Sequence, residues 1–309
     1  MKPALLLLLL AAPAAVASVQ VGPGAGVPAV DRGVVWVPNT LAGTVSRVDV
    51  VHHRVAATVK LGRPAIGGGY LDSAAVAGGS VWVARDFAGE IDRVDPRTNR
   101  IAKRITVDPR PGGLATGGGF VWAFHFQHPS VTRIDAATGA KRVFSVPGAL
   151  GTGIAYAAGA VWLLTQSPSA LIELDPSTGD VRARIAIASA GPPKHAIADT
   201  WWVAAGGGSL WLTNPNYDRV TRVDIAAAKV RATIPVPVAA PFGIVFYRGA
   251  AWVVGSGKVV RIDPADDRPG AALGLAKGAA ALFTQLAAGP SGLWATDYDR
   301  GMLYRLRVS

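Results

Sequence analysis

The residues best equipped for chemistry are few and scattered. The chain has five histidines, and two of them, His125 and His128, stand three apart in His125-Phe126-Gln127-His128. With His195 they could ligate a metal or serve as acid and base. Such a site needs three ligands on converging loops, and this motif supplies no carboxylate of its own. The alternative is that these are exposed loop histidines, or that they stack on Phe126. Arg85-Asp86 offers a guanidinium that could grip a carboxylate or phosphate bidentately; the alternative is an ordinary Arg–Asp pair, local or between neighbouring units. Asp297-Tyr298 and Tyr217 add further polar groups. The chain contains no cysteine, so thiolate metal sites, cysteine nucleophiles and disulfides are excluded. Gly255-Ser256-Gly257-Lys258-Val259 lacks both the first glycine and the Ser/Thr of a phosphate loop, and no Gly-x-Ser-x-Gly is present.

What positions these residues is a repeat. Seven tryptophans, Trp36, Trp82, Trp122, Trp162, Trp211, Trp252 and Trp294, are separated by 46, 40, 40, 49, 41 and 42 residues. A period in this range marks a propeller or solenoid. In the first six copies a glycine stands three residues before the tryptophan, from Gly33 to Gly249. About ten residues after each tryptophan comes an alternating segment, Val45-Ser46-Arg47-Val48-Asp49 in copy one and Ile91-Asp92-Arg93-Val94-Asp95 in copy two, as in a half-buried strand. Asp95-Pro96-Arg97-Thr98-Asn99 and Asp175-Pro176-Ser177-Thr178-Gly179 then supply turn chemistry. A third strand returns, as in Arg54 to Lys60, and a small, apolar fourth precedes the next glycine, as in Pro111 to Thr116. No segment keeps a helical period.

One such four-stranded sheet has two faces and cannot bury them alone; radial stacking solves this. The expected fold is therefore all-β, a seven-bladed β-propeller of four-stranded antiparallel blades, with the tryptophans packed between blades. Copy seven ends one strand short, and residues 19–21 are expected to supply its outer strand, joining the termini and removing an open edge. Gly67-Gly68-Gly69, Gly117-Gly118-Gly119 and Gly206-Gly207-Gly208 read as turn glycines, the last two at one repeat position. His52-His53 and Asp266-Asp267 fall in turns at the opposite rim.

The first residues read as an export signal, residues 1–17. Lys2 gives a positive start, Ala4 to Ala12 an apolar run, and Ala15-Val16-Ala17 a cleavage site, so the mature domain spans 18–309. Pro13 interrupts the run well short of the roughly 20 residues of a membrane anchor, so a cleaved signal is expected and an uncleaved anchor is the alternative; no cysteine follows the run for lipid attachment. A periplasmic or extracellular monomer, with no membrane span once the signal is removed, is expected.

Gly-x-Val-Trp-Val followed by Ser-Arg-Val-Asp and Asp-Pro-x-Thr-Asn/Gly resembles the YVTN and YncE-like propeller repeats. It is also similar to the repeats of streptogramin (virginiamycin B) lyases. The resemblance covers about residues 19–309 and implies a propeller; the related proteins include binding proteins, lyases and lactonases. The lyase repeats carry Trp-Phe-Thr-Glu, whereas here the stretches are Trp36-Val37-Pro38-Asn39, Trp82-Val83-Ala84-Arg85 and Trp122-Ala123-Phe124-His125, and no copy has the Glu.

The formal net charge is +11, which would suit an anionic partner. Yet Arg47, Arg93, Arg133, Arg222, Arg261 and Arg305 occupy one repeat position spread around the ring, and no aromatic ladder accompanies them. Nucleic acid is therefore not the expected partner. In a propeller the loops after the tryptophan strand and before the inner strand share one rim. Here that rim holds Asn39, Arg85, Asp86, His125, Gln127, His128, Gln166, His195, Asn214, Asn216, Tyr217, Phe242, Asp297 and Tyr298. Ala188 to Trp202, with Trp201-Trp202, is an insertion before an inner strand; the tandem indoles either line a ligand site or widen the core. The expected activity is binding of a small molecule, peptide or cell-envelope protein at this rim, without catalysis. The alternative is a metal-assisted lyase or hydrolase that uses the rim histidines and a divalent metal as cofactor.

Overall fold

Each repeat unit folds into one antiparallel sheet, and the sheets close into a ring. The structure, a computed structural model, describes residues 14–65, 71–188, 192–195, 199–276 and 283–307. Most of the expected signal, residues 1–13, together with Gly67-Gly68-Gly69, parts of the Ala188 to Trp202 insertion and Leu282, lies outside the described residues. Blade one runs from inner to outer strand as Ala29–Asp31, Val34–Asn39, Thr44–Asp49 and Arg54–Lys60. Blades two to five repeat this order, with the tryptophan always on the second strand. Blade six has the same plan, but its outer strand is split into Arg268–Pro269 and Leu273–Gly274. A proline and a glycine flank the break, and neither sustains a ladder.

Blade seven takes its inner three strands from Thr284–Gly289, Gly292–Asp297 and Met302–Leu306, and its outer strand from Ala15–Gln20. The closing strand thus begins earlier than residues 19–21. Ser18, Val19 and Gln20 pair with Tyr304, Leu303 and Met302, and Ala15 and Ala17 extend the ladder to Leu306 and Arg305. The expected cleavage site Ala15-Val16-Ala17 therefore lies inside this strand. Blade one's inner strand is shorter than expected, starting at Ala29, while Val27 bridges in parallel to Ser73 of blade two.

The core is seven interfaces rather than one centre. Trp36 packs with Val81, Val83 and Val94 of blade two. Trp82 meets Val121 and Ile134, Trp122 meets Ile154 and Leu163, and Trp162 meets Leu210 and Val223. Trp211 meets Val253, Trp252 meets Leu293, and Trp294 meets Val35 and Val37, which closes the circle. Each indole is thus buried against the next blade, worth about 3–5 kcal/mol against alanine. Five of them also donate from Nε1 to the carbonyl five residues back, as Trp82 does to Ala77 at 3.1 Å.

The cationic repeat position belongs to the same interfaces. Arg47, Arg93, Arg133, Arg222, Arg261 and Arg305 each stand directly across from a tryptophan on the second strand; in blade four Glu173 takes that place opposite Trp162. Arg133 donates to Pro176 O of the next blade at 2.8 Å, and Arg93 to Ala137 O at 2.9 Å. Part of the positive charge is therefore spent on joining blades.

Candidate functional site

The candidate residues at the end of the second strand share a structural task. In blade one Asn39 donates from Nδ2 to Ser46 Oγ at 2.9 Å and Thr44 Oγ1 at 3.0 Å. In blade five Asn214 Oδ1 accepts from Thr221 Oγ1 at 2.7 Å. His125 occupies this position in blade three. Its Nε2 lies 3.0 Å from Thr132 Oγ1 and its Nδ1 3.2 Å from Pro109 O. A carbonyl only accepts, so Nδ1 carries the proton and Nε2 accepts from the threonine. Both ring nitrogens have protein partners, and burial holds the imidazole below its ordinary pKa.

The other two histidines belong to separate networks. His128 is half exposed, with Nδ1 3.3 Å from both Asp108 Oδ2 and Ser130 Oγ. His195 Nε2 sits 2.8 Å from Asp218 Oδ1, and its amide donates to Asn216 Oδ1 at 3.1 Å. Burial raises Asp218, but the Ala240 amide, His195 and Lys194 outweigh it and hold the carboxyl below its usual range. Tyr217 is buried in the 3-10 turn Pro215–Tyr217. Asp297 accepts from the Arg300 amide at 3.1 Å, and burial raises its pKa. Among the described residues, no group of three or more His, Cys, Asp or Glu is placed to hold a metal ion.

The mouth of the channel is filled. Val27, Leu71 and Tyr298, from blades one, two and seven, form one buried cluster with Trp202 and Phe283 packed on it. Trp202 comes from blade five, so these side chains meet across the axis. Its ring also reaches blade three, where a Cβ on Gly113 would come within 2.9 Å of Trp202 Cη2. Only a residue without a side chain leaves that path open. Beside it runs an aromatic chain in which Phe126, Trp201, Phe242, Phe283 and Tyr298 follow one another at centroid spacings of 6.1, 5.4, 5.2 and 6.1 Å. Trp201 and Trp202 therefore close the axis.

Off the axis, the same rim carries a cleft between blades one and two of about 560 Å³. Its lining includes Arg63, Asp72, Arg85, Phe87 and Arg104. Arg85 ends the second strand of blade two, in the place of Asn39. Its Nη1 donates to Glu90 Oε2 at 2.8 Å, and Glu90 stands in the place of Thr44. Nη2 donates to Arg63 O at 3.3 Å. Asp92 takes the place of Ser46. It is fully buried, its oxygens make no hydrogen bond, and Arg104 Nε lies 3.7 Å away. Burial lifts Asp92 to about 6, against the pull of Arg104 and Arg85. Asp72 is 5% exposed and burial lifts it to about 7. It accepts from the Asp86 amide at 3.1 Å, and its own amide donates to Thr40 Oγ1 at 3.0 Å. Asp86 pairs with Arg110 of the next blade at 2.5 Å; burial nevertheless raises its pKa. Of the residues singled out in the sequence, Arg85 and Asp86 meet here, while the histidines, Tyr217 and Asp297 lie in networks of their own. Asp72, Glu90, Asp92 and Arg104 escaped sequence reasoning. Asp92 had a signal, a carboxylate where three other repeats place Ser46, Thr132 and Thr221 and the remaining three place Ile172, Val260 and Tyr304.

The fold is a seven-bladed β-propeller, and comparison shows that it resembles the folds of several other propellers. It is similar to the virginiamycin B lyase of Staphylococcus aureus, with TM-score 0.74 and 17% identity over 92% of this chain and 94% of that one. It is similar also to Kuenenia stuttgartiensis hydrazine synthase, with TM-score 0.72 and 15% identity over 93% and 96%. The β-propeller domain of Myceliophteria thermophila Cps50 gives TM-score 0.71 and 14% identity over 94% and 99%. No family model and no curated protein sequence matches the chain.

Proposed function

We propose that this propeller is an exported, non-catalytic binding module of the periplasm or cell exterior. Its ligand, a small molecule or a short segment of a peptide or envelope protein, enters the rim between blades one and two. The observation that carries this reading is the cleft itself, a concavity of ligand size whose wall holds the buried Arg85 and Asp72. Trp202 fills the axis, so binding falls to the side of the channel. Ala88 lines the cleft and is exposed, so Ala88→Trp blocks it without entering the core. Native mass spectrometry of chain purified from its exporting cells is expected to show a bound mass that Ala88→Trp loses. Equal occupancy in both proteins, or none in either, defeats the reading.

The fold shared with virginiamycin B lyase favours one second reading, a metal-assisted lyase or hydrolase acting through the rim histidines. Cleavage of virginiamycin B by this chain in the presence of a divalent metal, lost in His128→Ala or His195→Ala, would establish it.

A further inference from the structure

Three arginines from separate elements line the cleft. Arg63 follows the outer strand of blade one, Arg85 ends the second strand of blade two, and Arg104 lies on that blade's outer strand. The chain is shaped to admit them. Gly62 has φ +151°, and a Cβ there would come within 2.8 Å of Arg85 Nη2, so glycine makes room for the guanidinium. Arg85 itself is largely spent on Glu90 and Arg63 O. Arg104 is better placed to meet a ligand: it is half exposed, donates to Leu61 O at 2.5 Å, and stands 3.8 Å from Glu90 and 3.7 Å from Asp92. Arg63 is exposed.

The balance of charge on the lining is positive. Three guanidiniums face one lining carboxyl, Asp72, which is buried and which burial raises to about 7. Glu90 is engaged by Arg85 and Arg104, and Asp92 lies behind Arg104, out of solvent. Apart from Thr40 and Gly62, the rest of the wall is apolar, with Pro64, Ala65 and Ala88, and with Phe87 46% exposed. Phe87 carries the Arg110 guanidinium over its ring at 5.1 Å, yet stays half exposed and shares the lining with Arg63 and Arg104, which suits a ligand with an apolar body and an anionic head.

We infer that the cleft between blades one and two binds an amphipathic organic anion, with Arg63 and Arg104 holding its carboxylate or phosphate head and Phe87 and Pro64 flanking its apolar body. The inference rests on the use of the cleft proposed above and adds the class of ligand. Guanidinium recognition is shared by the two heads, so both are tested.

The probes are 2-naphthoate, 2-naphthyl phosphate, uncharged 2-naphthamide and cationic 2-naphthylmethylamine, each titrated into the intact exported chain by calorimetry. At least one anion is expected to bind saturably and to weaken as salt rises, and the tighter anion names the head. Arg63→Gln, at an exposed side chain, is expected to weaken it fivefold or more without a fall in Tm, Arg104→Gln to weaken it as much while also lowering Tm because it contacts Glu90 and buried Asp92, and Ala88→Trp to abolish it. No saturable binding of either anion, or binding unchanged in both arginine variants, overturns the inference. The amide or amine bound as tightly as the anions, and lost in Ala88→Trp, also overturns the anion class but leaves the rim reading standing. Binding of every probe unaffected by Ala88→Trp removes both.

Discussion

Arg222 lies over Trp211, its guanidinium carbon 4.7 Å from the ring centroid, and from there reaches the next blade. Nη1 donates to Pro264 O at 2.7 Å and to Asp267 Oδ1 at 2.6 Å, while Nε donates to Ser209 Oγ at 2.9 Å. One side chain thus covers an indole and joins blades five and six. Arg261, at the same repeat position in blade six, is far more exposed and pairs with Asp263 of its own strand.

Replacing Arg222 with leucine strands Ser209 and the Pro264 carbonyl at a buried seam. Equilibrium urea unfolding is expected to show a loss of roughly 2–4 kcal/mol. Arg261→Leu is expected to stay within about 0.5–1 kcal/mol of wild type. Equal losses would mean that the seam does not depend on the bridge.

Trp202 crosses the axis to meet residues of blades one, three and seven. Trp202→Ala should open a cavity there and cost about 3–5 kcal/mol. Xenon or a small aromatic soaked into crystals of the variant is expected to occupy the axis. A variant as stable as the parent would show that the ring merely covers the mouth.

The strand Ala15–Gln20 closes blade seven, and Ala14 adds main-chain hydrogen bonds of 2.8 Å to Gly274 and Arg307. Chains beginning at Ala15, Ser18 and Val21 are therefore expected to melt in falling order. The chain from Val21 leaves the third strand of blade seven as an open edge and should aggregate on heating. On the proposed export, N-terminal sequencing of protein recovered outside the cytoplasm is expected to begin at Ser18; a start at Met1 would overturn the cleavage.

Asp72 gives a pH signature with a definite sign. Burial raises it from 3.8 to about 7, and the charges of Asp86 and Asp92 add to the rise while Arg85 opposes it. The folded chain therefore holds the proton more tightly than the unfolded chain. Ionisation penalises the fold progressively as pH rises from about 4 through 7, and the penalty is complete above that. Asp72→Asn keeps an oxygen for the Asp86 amide and removes the penalty. Its Tm relative to wild type is expected to improve from pH 5 to pH 8, by up to a few kcal/mol in stability. A difference that stays flat across that range would show that Asp72 does not titrate there in the folded chain.

The seven interfaces were legible because each repeat carries its own marks: the tryptophan, the glycine before it and the alternating strand after it. Strand period and turn residues are local properties, and seven copies of one pattern leave a single way to bury it. Much of the candidate site was not legible for the opposite reason. His125 looked singular in the chain, yet its place is that of Asn39 and Asn214, and its partner Thr132 stands seven residues on at a register that only a folded hairpin displays. Asp72 carries no local mark, and its carboxyl matters only because the chain on both sides buries it between two blades. Arg63 and Arg104 lie 41 residues apart and meet because consecutive blades stack. The amino-acid sequence thus determined the number of blades, their strand order and the closing of the ring by its N-terminal strand, since periodicity and turn chemistry act over a few residues. The tertiary structure decided that Trp202 fills the axis and that arginines from two blades line one cleft, because both depend on distances between segments that no short-range pattern encodes.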